Sequence, residues 1–414
     1  MTADYDRSAG KRAKAWGLEG DAARWIEATG EYPIMYRALG TAPRTAHPFN
    51  LYGDIQSQGE ALRGTFALNR EVIPAIAQRL VDRGLRGMVG HGLGTSQFVA
   101  QTAAGAFWDY AGWEAYDLDS LEYATYGQPI DLARHAFFSY SGSGSTVDSN
   151  RAAAQARSRG AYQVAFTSVA GSPITQKCEE VVLCAGGFDT GGSDTFHYTT
   201  RLAASVWLAI EIGALTRPAA RDWDALRTRL FALADAYDAM FEAISRRAEI
   251  LGRRYAHIRS VLVVGSGANE GTAEEIALKF DEMAHIPAKA MCAGRHIHGA
   301  LGLTQPDILT IVVAPLEDAN YAALGDVAQV TAMLKSPSIG IVSAADERVA
   351  EQVDDVFRLE ETDPHLFAIL AILPGQLLSY WAALGQENIN PDCQRSDIAR
   401  HARVWNWLFP PHTH

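Results

Sequence analysis

Residues 260–280 read SVLVVGSGANEGTAEEIALKF. This stretch begins with an apolar run typical of a buried strand, continues through a glycine turn and ends with a helix-like segment. The same order occurs earlier, where MVG at residues 88–90 precedes the glycine run HGLGTS and the segment QFVAQTAAGAFWDYAG at residues 97–112. Two openings of this kind in one chain predict an internal duplication.

Further short apolar runs alternate with helical segments in both halves. They are HAFFSY at 135–140, YQVAFTS at 162–168, EEVVLCA at 179–185, DILTIVVAP at 307–315 and SIGIVSA at 338–344. Strands that alternate with helices form parallel sheets covered by helices on both faces. The stretch from Thr199 to Arg254 has no strand signal and predicts a helical spacer between the halves. The sequence therefore predicts an α/β protein.

Composition excludes several classes of protein. The chain has 414 residues, of which 48% are hydrophobic, so it has ample material for a packed core and for two or three domains. Its net charge is 36 − 48 = −12, and we therefore expect no nucleic-acid or membrane partner. Four cysteines without a CxxC pair indicate the reducing cytoplasm. We also predict no secretory signal and no membrane-spanning segment.

We divide the chain into five predicted parts. These are a helical N-terminal extension (1–60), a first α/β domain with anion-binding loops (61–215), a helical connector (216–250), a second α/β domain with a catalytic helix (251–385) and a C-terminal tail (386–414).

The glycine turns fit neither common nucleotide-binding pattern. The third glycine of GxGxxG is replaced by Gln97 in the first turn and by Glu270 in the second, and no Gly-Lys-Ser/Thr follows either. The first half instead carries two hydroxyl-rich loops, at residues 92–96 and 141–146. Backbone amides and hydroxyls at strand ends can hold a phosphate or a sulfonate. One such loop alone is as well explained by a turn-forming linker, but two at successive strand ends favour a binding site.

Glu275, Lys279 and Glu282 share one face of the helix predicted after the second glycine turn. A solvated stripe of charge is the commoner origin of such a pattern. However, two carboxylates, an ammonium and a nearby histidine are also what proton transfer beside a sugar carbonyl requires. The HxH at residues 296–298 lacks further ligands at zinc-like spacing, so we predict no metal site and no cofactor.

Four segments together carry a family resemblance. They are GLGTS (92–96), SGSGSTVD (141–148), DTGGSDTFHYTTRL (189–202) and AEEIALKFDEMAHIPAKAMCAGRHIHGAL (273–301). In this order they resemble the double sugar-isomerase (SIS) domain proteins, in particular the isomerase domain of glucosamine-6-phosphate synthases. The resemblance spans residues 87 to 402. It implies two tandem, doubly wound, parallel-sheet subdomains of flavodoxin-like topology.

The resemblance also implies roles for individual residues. The positions that bind the sugar phosphate are Thr95, Ser96, Ser141, Ser143 and Thr146. Glu282 stands at the base that moves a proton between C1 and C2, Lys279 at a charge-stabilising lysine and Glu275 at a substrate-orienting acid. His298 stands at the ring-opening histidine, which in this family often reaches into the neighbouring subunit's site. A homodimer with shared active sites is therefore implied.

Several positions depart from the family pattern. Asp189 and Arg295 replace glutamates, Ala300 replaces a proline, and Arg400 stands near a lysine of the C-terminal tail. We expect Asp189 and Arg400 to contribute to substrate binding. Arg295 and Arg400 could each offer paired donors to a further anionic group, although an exposed arginine without such a role is equally expected. The chain begins MTADYD, without a cysteine at residue 2, and we expect no glutamine hydrolysis.

The expected function is an enzyme without a cofactor that isomerises a phosphorylated or sulfonated sugar, or releases amine from an amino sugar, through a cis-enediol or enolamine. The alternative is a regulator that binds a sugar phosphate without catalysis. The proton-transfer residues favour the enzyme, since a sensor needs only the anion loops.

Overall fold

The computed structural model describes residues 44–187, 189–387 and 389–392. Arg400, most of the predicted C-terminal tail and the first 43 residues lie outside this range. The described chain begins with three helices, α1 (Asn50–Gln56), α2 (Gln58–Leu68) and α3 (Val72–Asp82). The third is amphipathic and buries one apolar face, formed by Ile73, Ile76, Ala77 and Leu80.

The first half contains a five-stranded parallel sheet of order β2-β1-β3-β4-β5. Its elements are β1 (Gly87–Gly92), α4 (Thr95–Ala106), β2 (Glu114–Asp119), α5 (Ser120–Tyr126), β3 (His135–Tyr140), α6 (Val147–Ser158), β4 (Tyr162–Thr167) and β5 (Glu180–Leu183). β1 and β3 are buried along their whole length, as expected of central strands covered on both faces.

The second half repeats this arrangement with the order β7-β6-β8-β9-β10. Its elements are β6 (Ser260–Val264), α9 (Glu270–Lys279), β7 (Ala288–Met291), the short α10 (Ala293–Arg295), β8 (Ile308–Ala314), α11 (Tyr321–Met333), β9 (Ser338–Ser343) and β10 (Asp355–Leu359). Within each half the first strand lies between the second and the third. The predicted fold class, two flavodoxin-like doubly wound sheets, is confirmed.

Long helices connect and cover the halves. α7 (Thr195–Thr216) and α8 (Trp223–Tyr255) occupy the predicted helical spacer, and α12 (Pro364–Leu384) closes the second half. α12 packs along α8, where a β-carbon on Gly252 would lie 2.7 Å from the backbone nitrogen of Ala382. One hydrophobic cluster includes Met88 of the first sheet and Val261 of the second, so both halves share a core.

The composition of α12 corrects the expectation that no segment could span a membrane. Residues 364–384 contain no Asp, Glu, Lys or Arg, and by length and composition alone this helix could cross a bilayer. In the structure its most apolar stretch is entirely buried among the other helices. A helix enclosed on all sides is apolar all round, so the same composition is also typical of a core helix.

The first helix of each half ends in a π-helical turn. Phe107–Ala111 follows α4, and Phe280–Ala284 follows α9. Each turn ends at a residue with positive φ, Gly112 (66°) or His285 (53°), whose N–H bonds back to the first residue of the turn. This shared detail extends the similarity between the halves beyond strand order.

α4 and α9 pack against each other in opposite directions and join the two halves. A β-carbon on Gly271, at the start of α9, would lie 2.2 Å from the Thr102 hydroxyl late in α4. At the other end, Thr95 at the start of α4 contacts Lys279 at the end of α9. The absence of a side chain at Gly271 permits this close approach. The beginning of α4 therefore lies beside the end of α9, and the candidate site forms there.

Candidate active site

Glu275, Lys279 and Glu282 form one connected row at the end of α9. The Lys279 ammonium lies 3.1 Å from Glu275 Oε1 and 2.9 Å from Glu282 Oε2. Glu275 and Lys279 are fully buried, whereas the Glu282 side chain retains 21% of its exposure. The predicted common face is therefore present. It is a buried charge row with one carboxylate reaching the surface, and it differs from a solvated stripe.

The row is tied to the first half of the chain. The Thr95 hydroxyl donates to Glu275 Oε1 at 3.1 Å, and Lys279 donates to Thr95 Oγ1 at 3.3 Å and to the carbonyl of Ser193. The carboxylate and the ammonium thus belong to one half and their hydroxyl and carbonyl partners to the other. Glu275 Oε2 has no partner among the described residues.

Burial and neighbouring charges shift the pKa values of Glu275 and Lys279. Burial raises the pKa of Glu275 to about 8, although Lys279 opposes the shift. Burial alone would lower the pKa of Lys279, but the nearby Glu275 and Glu282 raise it above its ordinary value. The lysine therefore remains a cation, and Glu275 can hold a proton near neutral pH.

The first hydroxyl-rich loop opens directly onto this row. Gly94 adopts a φ of +53° and precedes α4, which places Thr95 and Ser96 in the first turn of that helix. Both side chains are buried. A helix begins with N–H groups that lack intrahelical acceptors, so this end attracts an anion. Ser96 accepts a hydrogen bond of 2.6 Å from Arg201.

The second hydroxyl-rich loop follows β3. The Ser141 hydroxyl accepts from the Gly144 N–H at 3.1 Å, and the Ser143 hydroxyl accepts from that of Ser145 at 2.9 Å. Gly144 has a φ of +67° and lies so close to Ser172 that a β-carbon would overlap its hydroxyl. Thr146 precedes α6 and does not cap it with its side chain. Both loops thus lie at strand carboxyl ends before a helix, as predicted.

Asp189 braces a third loop, residues 189–194, which precedes α7. Its carboxylate accepts backbone N–H groups of Gly191 (2.9 Å), Gly192 (2.7 Å) and Asp194. Asp54 of α1 holds the same loop through the Thr190 N–H and hydroxyl. Burial, reinforced by Asp189, raises the pKa of Asp54 to about 9. These contacts give Asp189 a role in shaping the loop, and the substrate contact predicted for it remains a proposal.

A trio of charged and polar side chains at the start of α7, in which His197 and Arg201 are buried, was missed by the sequence analysis. Arg201 is fully buried and donates to Asp194 Oδ2 at 2.9 Å, while His197 Nδ1 bonds to Asp194 Oδ1. Burial alone would raise the pKa of Asp194, but Arg201, His197 and Lys279 lower it well below its ordinary value. The spacing of three and four residues, which places side chains on one helix face, was the available signal.

One group of described side chains has the spacing of metal ligands. Asp189, Asp194 and His197 each place one ligand atom within 4.8 Å of the others. The same atoms are engaged in the loop contacts, and His197 Nε2 also bonds to the Gly187 carbonyl at 2.8 Å. The hydrogen bonds within this group explain its compactness.

The remaining predicted residues lie apart from the row. His298 is exposed in the π-helical turn His296–Ala300, whereas His296 is buried and bonds to Thr304 at 3.0 Å. Arg295 pairs with Glu270, so a contact within its own half accounts for it. Arg400 lies outside the described residues. Within the described chain the first hydroxyl-rich loop contacts the charge row, the second lies against Asp194 and His197, and His298 is exposed.

Comparison with known proteins identifies the domain family of the second half. Residues 254–385 match the family model described as the SIS domain. The chain therefore contains a SIS domain in its second half. It is also 25% identical over 363 residues to the glutamine–fructose-6-phosphate aminotransferase (isomerizing) of Thermococcus kodakarensis. That alignment covers 86% of this chain but 58% of the relative, so the SIS-domain protein spans little more than half the length of this relative.

Solved structures resemble both halves of the SIS-domain protein together. The C-terminal domain of glucosamine-fructose-6-phosphate aminotransferase from Francisella tularensis has a TM-score of 0.74 at 19% identity, covering 83% of this chain and 98% of that domain. Tagatose-6-phosphate ketose/aldose isomerase from Escherichia coli has a TM-score of 0.70 at 19% identity (85% and 96% covered). Glucosamine-6-phosphate deaminase from Thermotoga maritima has a TM-score of 0.65 at 16% identity (83% and 97% covered). These likenesses show a common fold.

Proposed function

We propose that this SIS-domain protein is an enzyme that moves a proton between C1 and C2 of a phosphorylated or sulfonated sugar or amino sugar. The observation that carries the proposal is the row of Glu275, Lys279 and Glu282, which the first hydroxyl-rich loop contacts through Thr95. A carboxylate at the surface end of a buried ion pair is suited to proton transfer, and the fixed ammonium is suited to stabilising negative charge.

In the proposed reaction the anionic end of the sugar binds the loops at residues 92–96 and 141–146. Glu282 removes a proton from one of the two carbons and returns it to the other. Lys279 stabilises the oxyanion of the cis-enediol or enolamine that forms between the two steps. Glu275, which can hold a proton near neutral pH, orients a substrate hydroxyl or carbonyl. No cofactor is required, because Glu282 itself takes up the proton from one carbon and returns it to the other.

Opening of the sugar ring requires a further acid, because Glu275 is already assigned to a substrate hydroxyl or carbonyl. We assign this role to His298 of a second subunit, in a homodimer with shared sites. The exposure of His298 within one chain supports the assignment, since a side chain that serves a neighbouring site must project from its own subunit.

Isomerisation and amine release pass through related intermediates, and the site supports both. The structural neighbours include proteins named as a ketose/aldose isomerase and as an amino-sugar deaminase. We favour amine release slightly, because amine installation needs a source of ammonia that the described residues do not supply.

The test is an NMR screen of the purified protein in deuterium oxide. The panel contains fructose 6-phosphate, glucosamine 6-phosphate, a fructosamine 6-phosphate and a sulfosugar. Deuterium incorporation at C1 or C2 is expected for at least one of them, and released ammonia distinguishes a deaminase from an isomerase. Saturable binding without exchange across the panel would contradict the enzyme and support a sugar-phosphate-binding regulator.

A further inference from the structure

Arg201 is the one arginine among the described residues that is fully buried. All three nitrogen atoms of its guanidinium donate a hydrogen bond. Nη1 donates to Ser96 Oγ at 2.6 Å, Nη2 to Asp194 Oδ2 at 2.9 Å and Nε to the His197 carbonyl at 2.7 Å. A guanidinium carries donors only, so every one of these bonds has a fixed direction. The position of the guanidinium is therefore set from three sides.

The direction of the bond to Ser96 determines where the serine proton points. Because Ser96 Oγ is the acceptor from Arg201, its own O–H must donate elsewhere. Among the described residues no acceptor for that proton is found. Ser96 lies in the first turn of α4, so the unused donor lies at the positive end of the helix dipole.

The second hydroxyl-rich loop packs against Asp194, which is a partner of Arg201. A β-carbon on Gly142 would lie 3.3 Å from Asp194 Oδ1 and from His197 Nδ1, so the backbone of this loop lies directly against the pair. The carboxylate of Asp194 also compensates the charge of Arg201, and a buried guanidinium without a counter-ion would be strongly unfavourable.

We propose that Arg201 is a positioning residue that turns the Ser96 hydroxyl into a donor aimed at the anionic group of the substrate. The inference rests on the proposed function, since it requires an anion between the two loops. It assigns Arg201 no contact with the ligand. Its effect on binding is transmitted through the orientation of one hydroxyl proton.

The test is a double-mutant cycle on the full chain with inorganic phosphate as the probe. Affinity is measured by calorimetry for the wild type, Arg201→Lys, Ser96→Ala and the double variant. We expect Arg201→Lys to weaken phosphate binding about tenfold in the wild-type background and less than twofold in the Ser96→Ala background. Arg227→Lys serves as the matched control and should leave affinity unchanged. Arg227 lies in α8 and pairs with Glu211 of α7.

Equal losses in both backgrounds would overturn the proposal, because Arg201 would then act independently of Ser96. No loss in either background would overturn it as well. Should Arg201→Lys fail to fold, the wild type and Ser96→Ala are compared after ¹⁵N-arginine labelling. Phosphate should shift a slowly exchanging guanidinium signal in the wild type alone, and an equal shift in both would contradict the inference.

The double-mutant cycle with phosphate tests the role of Arg201, and the deuterium screen tests the reaction, so either proposal can fail alone. If phosphate binds and the cycle is additive, the role of Arg201 is wrong and the enzyme proposal stands. If the cycle shows coupling but no sugar exchanges deuterium, the reaction is wrong and the role of Arg201 stands. Absence of phosphate binding to the wild type would contradict the anion loops and this inference together.

Discussion

The hydroxyl of Thr95, in the first half of the chain, donates a 3.1 Å hydrogen bond to the carboxylate of Glu275 in the second half. Lys279 reinforces this contact by donating to Thr95 and to the Ser193 carbonyl. The site is therefore complete only when the two sheets are docked. Any change that moves α4 relative to α9 should disturb it.

Replacement of Glu282 by Gln should abolish proton exchange at C1 and C2. The amide keeps the size of the side chain but has no basic oxygen, so we expect turnover to fall at least about 100-fold. Ligand affinity should stay within about tenfold, or about 1.4 kcal/mol. Deuterium incorporation measured by NMR checks the first claim, and titration calorimetry with the ligand checks the second. Glu274→Gln, one position outside the row, is the control, and near-normal turnover by Glu282→Gln would refute the assigned base.

Replacement of Ser143 by Ala should weaken binding of a phosphorylated ligand about tenfold, since one hydroxyl donor of the second loop is lost. Affinity for the corresponding neutral sugar should not change. Titration calorimetry with both ligands measures the difference. Ser158→Ala, at the exposed end of α6, controls for the loss of a surface hydroxyl. Unchanged affinity for the phosphorylated ligand would remove Ser143 from the anion site.

Replacement of Gly271 by Ala should separate α4 from α9. The added methyl group would meet the Thr102 hydroxyl at 2.2 Å, and overpacking of this kind costs about 1–3 kcal/mol of unfolding free energy. Activity should fall further, because Thr95 and Glu275 move apart. Urea unfolding and the exchange assay measure the two effects. Gly53→Ala in α1, where the new methyl meets open space, should leave activity unchanged and should not lower stability.

Replacement of Asp54 by Asn should change how stability depends on pH. The folded protein raises the pKa of Asp54 to about 9, so between its ordinary value and pH 9 the folded state keeps a proton that the unfolded state releases. The contribution of Asp54 to stability is therefore lost as the pH rises. Relative to the wild type, Asp54→Asn should gain stability from pH 5 to pH 8 in urea titrations. The exposed Asp82→Asn is the control, and parallel curves for Asp54→Asn and wild type would contradict the shift.

Mixed dimers should test the role of His298. His298→Ala and Glu282→Gln should each be inactive alone. Co-expressed, they should recover roughly a quarter of the wild-type activity, because half of the dimers are mixed and each mixed dimer has one intact site. Exchange assays on the differentially tagged complexes provide the measurement. Recovery absent from purified mixed dimers would place His298 outside the partner's site.

The sequence predicts the central strands better than the edges of the sheets. β2, β7 and β10 were not predicted, and all three lie at a sheet edge. Each pairs on one side only and includes exposed or charged positions such as Glu114, Lys289 and Arg358. Their short apolar runs are therefore interrupted, whereas the central strand β8 is buried at every position and has Thr310 as its one polar residue.

The charge row was predictable because its spacing is local, and the rest of the site was not because its contacts are distant in sequence. Glu275, Lys279 and Glu282 lie within eight residues. The bonds from Lys279 to Ser193 and from Arg201 to Ser96 span 86 and 105 residues. Residue spacing along one helix carries no information about such pairs, which depend on how the helices are packed.

The π-helical turn that closes the first helix of each half places an acid at its third residue, Asp109 in one half and Glu282 in the other. Glu282 lies beside Lys279, but Asp109 lies 2.9 Å from the imidazole of His365. When a domain is duplicated, each of its positions occurs twice in the chain. Here the carboxylate of one half lies beside Lys279, and its counterpart in the other half links the turn after α4 to α12 through His365.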